Sequence, residues 1–342
     1  MAINTYGTAT SGNPTSVHAL AELLKSADAI ECVDKLVKTI PVPANKNEVF
    51  SMLRAVTPSV SGFAEVAEGV NPTPLALTYE QVTKTAEEYA YVFSVSSRQA
   101  ELGEYDVLVH SKDRMIDMMK RVREQNAWAE FITGTNVLFN SSAHSARTDV
   151  NGAITIGRIR KAVRELQDNR AEYIREATKG SVNQDTTPVE PAFICLSHTD
   201  ARNDIRNLPG FVPAPKVGGI RDTIPQLFGY VDDVAFVTSQ EFTPVLAGGA
   251  TVGSTGMKSA GATSVDVYPF VIYGRDALGK LSLRGLKSKG GMGGVEINLL
   301  DQADKSDPTN QRRLVSVRWW DLPVILNDNW VYRIECGVTD NP

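Results

Sequence analysis

The chain has 342 residues, of which 42% are hydrophobic, so it can bury the core of one large domain or of two. Its formal net charge of −5 gives no global basic field of the kind that indicates nucleic-acid binding. No apolar run approaches the ~20 residues of a membrane span, and the N-terminus lacks the charged start and apolar core of a signal peptide. We therefore expect a protein that is made and used in a cytosol.

No catalytic or metal-binding motif is recognisable in the sequence. Cys32, Cys195 and Cys336 are widely separated and form no Cys-x-x-Cys pair, which is typical of reduced thiols in a cytosolic protein. The four histidines are equally scattered. No Ser/His/Asp or Cys/His arrangement can be placed along the chain, although distant residues can meet in a fold. We predict no catalytic residue, no metal site and no cofactor.

The first 45 residues indicate an N-terminal arm. Residues 1–16 are small and polar, which is typical of a segment without structure of its own. Pro41 and Pro43 interrupt the pattern that follows. A short amphipathic helix is predicted between these stretches from the spacing of Val17, Leu20, Leu23 and Leu24.

Residues 47–98 contain two strand-like runs joined by a long polar tip with several Gly and Pro residues. The returning run alternates with period two, as a half-buried strand requires, through Tyr89, Tyr91, Phe93 and Val95. An isolated hairpin with so little apolar cover is marginally stable in water. We therefore expect this hairpin to lie on another subunit.

The strongest helix pattern covers residues 105–133, which would be about 45 Å long at 1.5 Å per residue. Its apolar stripe contains Leu108, Met115, Met118, Met119, Val122, Ala129 and Ile132. The side chains expected to face away are Lys112, Arg114, Lys120, Arg123 and Glu124. We take Met115, Met119 and Val122 as the core of this helix.

A second amphipathic helix is predicted over residues 155–169, with the Thr155 hydroxyl as its N-cap. Its inward side chains are Ile156, Ile159, Val163 and Leu166. Further along, strands are predicted over residues 192–196, 234–238 and 269–273, and a helix over residues 199–207. Two alternating runs, 314–320 and 330–336, surround Asn327-Asp328-Asn329, a plausible hairpin turn. We expect these two strands to back the long helix.

Three segments resemble functional motifs without their essential features. Residues 248–255 have the glycine spacing of a phosphate loop, but Ser254 stands where that motif needs lysine. His198-Thr199-Asp200 suggests a helix cap more than a catalytic or metal pair, because residues two apart on a helix do not face each other. Trp319, Trp320 and Trp330 can stack on bases, but alternating strands more often bury such rings.

Three short stretches carry a family resemblance. Residues 64–72, AEVAEGVNP, resemble an acidic "E-G-x-x-P" loop tip, and residues 268–279 resemble a "Y-P-x-x-x-x-G-x-D-A-x-G" segment. Residues 305–308 resemble a "K-S-D-P" turn. Together with the hairpin and the long helix, these stretches resemble the major capsid proteins of tailed bacteriophages. The resemblance is to the branch typified by the podophage N-four. The resemblance runs from about residue 45 to the end, and leaves out the Gly-rich insertion 248–261.

The resemblance implies an α/β (α+β) capsid fold of the Hong Kong 97 type. Its expected parts are an N-terminal arm (1–45), an extended loop (46–100), a peripheral domain (101–192) with a spine helix (105–133), an axial domain (193–300), and closing strands of the peripheral domain (301–342). The extended loop is expected to touch a neighbouring subunit through Phe63, Glu65, Glu68, Val70, Pro72 and Pro74.

The implied function is structural. Copies of the chain would form hexameric and pentameric rings and close into an icosahedral shell around packaged double-stranded DNA, without reading its sequence. The implied partners are a portal and possible scaffold or decoration proteins, with no membrane. Assembly would take place in the bacterial host cytoplasm, and the final location would be the virion.

Two alternatives stay open from the sequence. An encapsulin-like compartment has the same fold and holds protein cargo instead of a genome, although the loop tip and the "K-S-D-P" turn favour the phage type. An enzyme that binds a nucleotide through residues 248–255 is the other.

Overall fold

The computed structural model describes residues 31–42, 49–56, 65–66, 68–71, 74, 76–97, 107–174, 191–216, 226–253, 255–261, 263–283, 296–300, 308–309 and 311–340. The predicted helix near Val17, most of the N-terminal arm and the "K-S-D-P" turn before Pro308 lie outside these residues. The described part is a mixed α and β structure with several sheets and few helices.

Four α-helices are present in the described part: α1 (Val33–Leu36), α2 (Val107–Phe131), α3 (Ile156–Asp168) and α4 (Arg202–Arg206). Helix α3 buries Ile159, Val163 and Leu166, as its apolar spacing requires. The predicted hydroxyl cap was wrong, because the Thr155 side chain makes no capping hydrogen bond. The backbone carbonyl of Thr155 instead accepts the N–H groups of Arg158 and Ile159.

The strands of the central sheet come from distant parts of the chain. They are β5 (Val137–Phe139), β6 (Phe193–His198), β7 (Val212–Pro213), β8 (Leu227–Val231), β9 (Val234–Ser239), β10 (Tyr268–Tyr273) and β15 (Val331–Cys336). Their order across the sheet is β5-β15-β10-β6-β9-β8-β7. Strands β6 and β9 are parallel and fully or almost fully buried, which explains their continuous apolar sequences.

Three smaller sheets surround the central one. Their strands are β1 (Lys38–Val42), β2 (Val49–Ala55), β3 (Tyr79–Thr85), β4 (Glu87–Ser96), β11 (Leu278–Leu283), β12 (Glu296–Leu300), β13 (Arg312–Asp321) and β14 (Pro323–Ile325). The orders are β1-β11-β14, β12-β13-β4 and a two-stranded ribbon, β2-β3.

The predicted hairpin is divided between two sheets. Among the described strands, β2 pairs with β3 alone, from Val49 opposite Thr85 to Ala55 opposite Tyr79. After Ala86, which is buried, the returning run continues as β4 and pairs with β13 over ten residues. The period-two pattern of this run therefore arises because Tyr89 and Phe93 pack against the long helix, and β4 does not pair with β2.

The two closing runs do not form a hairpin. Strand β13 pairs with β4 and β12, whereas β15 pairs with β10 and β5 in the central sheet. Residues Asp328–Trp330 form a 3-10 turn between them. The prediction that both strands back the long helix was wrong in part, because Ile334 and Cys336 of β15 are buried in the central core on the α3 side. The central sheet thus draws on the predicted segments 101–192, 193–300 and 301–342.

The central sheet has a core on each face. Phe193 and Cys195 of β6 lie on the face covered by α3 and α4. Ile194 and Leu196 lie on the opposite face, with α1 and the C-terminal half of α2. The period-two alternation of a strand places neighbouring side chains on opposite faces, so β6 joins the two cores.

The long helix buries different sides in its two halves. Met115 and Met119 pack on the β12-β13-β4 sheet, whereas Trp128 and Phe131 pack in the central core. At 3.6 residues per turn, Met119 and Trp128 lie about 180° apart around the helix. A single straight stripe was therefore a wrong prediction: Met118 and Ala129 are exposed, and Glu124, expected in solvent, is buried.

Candidate assembly surfaces

The β2-β3 ribbon has an exposed outer face with large apolar side chains. Strand side chains alternate between faces, so Val49, Leu53 and Tyr79 share this face in the observed register. Leu53 is 70% exposed and Tyr79 is 62% exposed. Val56 and Leu77, beside the ribbon, are also exposed. Several large apolar side chains exposed on one face are typical of a protein–protein contact.

The opposite face of the ribbon lies on the body. Phe50 packs against the buried Ala86 and Leu322, and Lys84 makes an ion pair of 2.7 Å with Glu130 near the end of α2. Arg54 and Glu80 form a cross-strand ion pair. The ribbon is therefore anchored on one side and presents the other side to solvent.

A cleft of about 400 Å³ separates the ribbon from the end of α2 and from β14. Its lining includes the charged side chains of Arg54, Lys84 and Glu130 and the apolar side chains of Val324 and Ile325.

The predicted loop tip is only partly described. Glu65, Glu68, Val70 and Pro74 are exposed, and Gly69 has a positive φ of 82°, which favours glycine. The other two predicted contact residues, Phe63 and Pro72, lie outside the described residues.

The predicted spine-helix residues lie in one cluster. Met115 and Met119 are 1% and 3% exposed and contact Val315, Val317 and Trp319 of β13. Val122 is half-buried at the edge of this cluster. The N-terminal half of α2 is thus fixed to the sheet that contains β4, the strand that follows the ribbon.

The second half of α2 contains residues that the sequence analysis missed. Trp128 stacks on Phe242 with ring centroids 4.8 Å apart, and its Nε1–H donates to the Thr243 carbonyl at 2.9 Å. Glu124 and Ala127 are buried beside it. An i, i+3, i+4, i+7 spacing, which indicates a buried helix face, relates Glu124, Ala127, Trp128 and Phe131. It was missed because Glu124 is charged.

The glycine-rich segment that resembles a phosphate loop uses its backbone donors internally. The N–H groups of Gly249 and Ala250 donate to Val265 and Val150, and that of Val252 donates to Thr263. A Cβ on Gly249 would lie 2.7 Å from the Val150 carbonyl oxygen, so glycine is needed there for close backbone packing. These donors are therefore not available to a phosphate group, and Ser254 lies outside the described residues.

His198 and Asp200 belong to a small polar cluster at the end of β6. The Asp200 N–H donates to His198 Nδ1 at 3.1 Å, so His198 caps the 3-10 turn that follows. Lys258 and the Tyr268 hydroxyl donate to the Asp200 carboxylate at 2.6 Å and 2.9 Å. Burial lowers the pKa of His198, and burial together with the Asp200 contact raises that of Tyr268. The cluster ties the glycine-rich insertion, through Lys258, to the central sheet.

The tryptophans of the closing strands take part in packing. Trp319 is buried and stacks on Tyr89 with centroids 5.8 Å apart. Trp330 is half-buried and donates its Nε1–H to the Asn169 carbonyl. Trp320 packs beside Leu322. These rings do not form one exposed platform for bases.

The three cysteines of the chain share one kind of environment. All three cysteines are free and buried, and burial raises the pKa of Cys32 to about 12 and those of Cys195 and Cys336 well above their ordinary value. Such thiols are poor nucleophiles, because the thiolate is the reactive form. Within the described ranges, no group of three or more metal-ligating side chains occurs, and no helix is both long and apolar enough to cross a membrane.

Solved structures with this architecture include phage heads and an encapsulin. The capsid of Ralstonia phage GP4 is similar with a TM-score of 0.63 and 10% identity, covering 99% of this chain and 100% of that chain. The head structure of Helicobacter pylori bacteriophage KHP40 is similar with a TM-score of 0.59 and 14% identity, and 98% of each chain is covered. The holo-SrpI encapsulin complex from Synechococcus elongatus is similar with a TM-score of 0.57 and 12% identity, covering 95% of this chain and 94% of that chain.

The chain therefore has the fold of phage capsid proteins, which an encapsulin shares. The likeness extends over nearly the full length of this chain and of the chains it matches. No protein-family model matches the chain, and no curated protein matches it by sequence.

Proposed function

We propose that this chain is the major capsid protein of a tailed phage of the podophage N-four type. Its copies assemble into hexameric and pentameric rings and close into an icosahedral shell that encloses packaged double-stranded DNA. The chain has no enzymatic role in this proposal. Its partners are further copies of itself, a portal, and scaffold or decoration proteins, and its location is the virion after assembly in the host cytoplasm.

The exposed apolar face of the β2-β3 ribbon carries this proposal. Leu53 and Tyr79 lie on the side of the ribbon that faces away from the body. A surface of this kind, on a chain with the capsid fold, fits a contact with a second copy better than a catalytic site. Each copy would donate one ribbon and receive another, so weak single contacts would add up across a closed shell.

The parts of the fold take the following roles. Residues 1–45 form the N-terminal arm and 46–100 the extended loop. Helix α2 is the spine of a peripheral domain (101–192 and 301–342), and 193–300 form the axial domain. Because β15 pairs with β10 and β5, the central sheet links these regions into one frame.

The test removes the loop tip. Residues 59–76 are replaced by a short Gly-Ser turn, which costs little because surface loop tips tolerate shortening. Circular dichroism and melting should match the parent, whereas sedimentation and electron microscopy should show small oligomers or malformed particles. Normal closed shells from the deletion would contradict the proposed contact through Glu65, Glu68 and Val70. A globally unfolded product would place the tip in the core.

An encapsulin-like compartment is the second candidate, because an encapsulin is among the similar structures. The contents of particles isolated from the natural source separate the two. Nuclease-protected double-stranded DNA supports the phage capsid, and a protein cargo without DNA supports the compartment.

A further inference from the structure

The long helix carries a buried carboxyl group, Glu124, which is 3% exposed. Its Oε1 atom accepts the backbone N–H of Cys32 at 2.6 Å and that of Val33 at 2.8 Å. These residues begin α1, and the first turn of a helix leaves such N–H groups without partners. Glu124 of α2 therefore adds two hydrogen bonds to a segment whose residues Cys32 and Val33 also pack in the central core.

Charged side chains from four elements surround this contact. Arg123 of α2 makes ion pairs with Glu31 at 3.4 Å and with Asp34 of α1 at 2.8 Å. Lys280 of β11 pairs with Asp34 and lies 3.8 Å from Asp321 of β13. Lys280 and Asp321 are both buried.

Carboxyl groups outnumber cations in this cluster. Four carboxyl groups face two cations, an excess of two: Glu31, Asp34, Glu124 and Asp321 against Arg123 and Lys280. The remaining titratable neighbours, Cys32 and Tyr273, add no positive charge, and burial raises the pKa of both. Glu124 and Asp321 are the buried carboxyl groups of the cluster. Unbalanced negative charge is costly in a buried site, so protonation is favoured at these two groups.

The two oxygens of Glu124 are in different environments. Oε1 has two donors, whereas Oε2 is buried and has no hydrogen-bond partner in the described part of the chain. A protonated carboxyl is favoured at this place, because leaving a neutral O–H without a partner costs less than burying a charged oxygen without a donor. Burial raises the pKa of Glu124 to about 7 against the lowering effect of the two N–H groups, and burial also raises that of Asp321.

We propose that Glu124 is a proton-operated latch for residues 31–37: its protonated form strengthens the attachment of this segment to α2, and its ionisation weakens that attachment. The carboxyl binds its proton more tightly in the latched state, so acid favours that state. The stabilisation is fully present below the ordinary value of 4.5 and is lost as the pH rises through about 7. Local opening of residues 31–37 would then be more frequent above pH 7 than at acid pH.

Hydrogen exchange of the full chain at pH 6 and pH 8 tests this latch, after correction for intrinsic exchange rates and with the oligomeric state checked by sedimentation. In the parent, amides of residues 31–37 should be about tenfold less protected at pH 8, as follows from a pKa near 7 against an ordinary one. Glu124→Gln keeps an acceptor oxygen without a titrating proton, so its protection should be equal at both pH values. Asp113→Asn, an exposed control on the same helix, should keep the parent's tenfold difference.

Equal protection of the parent at both pH values would overturn the latch, and so would a tenfold difference that persists in Glu124→Gln. If Glu124→Gln does not fold, the pH at which protection stops falling decides. The parent's protection should fall from about pH 4.5 and level off near pH 7, and Lys280→Met should move this levelling-off to higher pH, because it removes a cation that lowers the pKa of Glu124. Levelling-off at the parent's pH in Lys280→Met would contradict the proposal.

Discussion

Met118 and Met119 are adjacent in the chain and have opposite environments. Met119 is buried against β13, whereas Met118 is 37% exposed, because successive helix residues point about 100° apart. Farther along the same helix, Trp128 and Glu124 are buried on the other side. The contribution of a residue to stability therefore depends on which half of α2 it occupies, and not on its hydrophobicity alone.

This difference gives a matched pair of substitutions. Met119→Asp places an unpaired carboxyl group in a core and should lower the free energy of unfolding by ~3–5 kcal/mol. Met118→Asp, one residue away, should change it by no more than about 0.5 kcal/mol, as for other surface substitutions. Chemical denaturation of both variants measures the difference. Equal losses would show that the buried face of α2 is assigned wrongly.

At the level of an element, the two faces of the β2-β3 ribbon have different environments. Phe50 and Leu53 are three residues apart on β2, and the pleat places them on opposite faces. Phe50 packs on the body near Leu322, whereas Leu53 is exposed. The inner face therefore fixes the ribbon, and the outer face is left for a neighbour.

Substitutions on the two faces should separate these roles. Leu53→Glu should leave melting of the unassembled chain within about 0.5 kcal/mol of the parent and should prevent particle formation, because it puts a charge into the proposed contact. Phe50→Glu should cost roughly 2 kcal/mol or more, because it buries a charge beside Leu322. Sedimentation and thermal melting report the two effects. Parent-like shells from Leu53→Glu would remove the outer face from the interface.

Local patterns were sufficient for some elements and insufficient for others. The apolar runs of β9 and β10 and the spacing of α3 are local signals, and the strands and the helix lie close to their predicted bounds. The burial of Glu124 was missed because its partner Cys32 is 92 positions away in the chain. Likewise, no local pattern shows that β4 pairs with β13 or that Leu53 lies on the outer face of the ribbon. These features depend on tertiary packing, which overrides sequence periodicity.

At the scale of the whole molecule, the architecture matches phage capsids at identities of only 10% to 14%. A layered arrangement of sheets on a long helix needs correct apolar spacing more than particular residues, so it persists while sequences diverge. In the proposed shell, a ribbon contact that is weak in one pair of chains would be made many times in a closed particle. The buried core keeps each copy rigid, and the exposed ribbon face and loop tip supply the proposed contacts.

Electron microscopy of the purified protein tests the central claim most directly. The protein is expressed alone and, in parallel, with the genes that flank it, so that a missing scaffold does not decide the result. We predict closed polyhedral particles of regular size with sedimentation coefficients far above those of a small oligomer. A discrete small oligomer under both conditions, with no closed particles, would contradict the account.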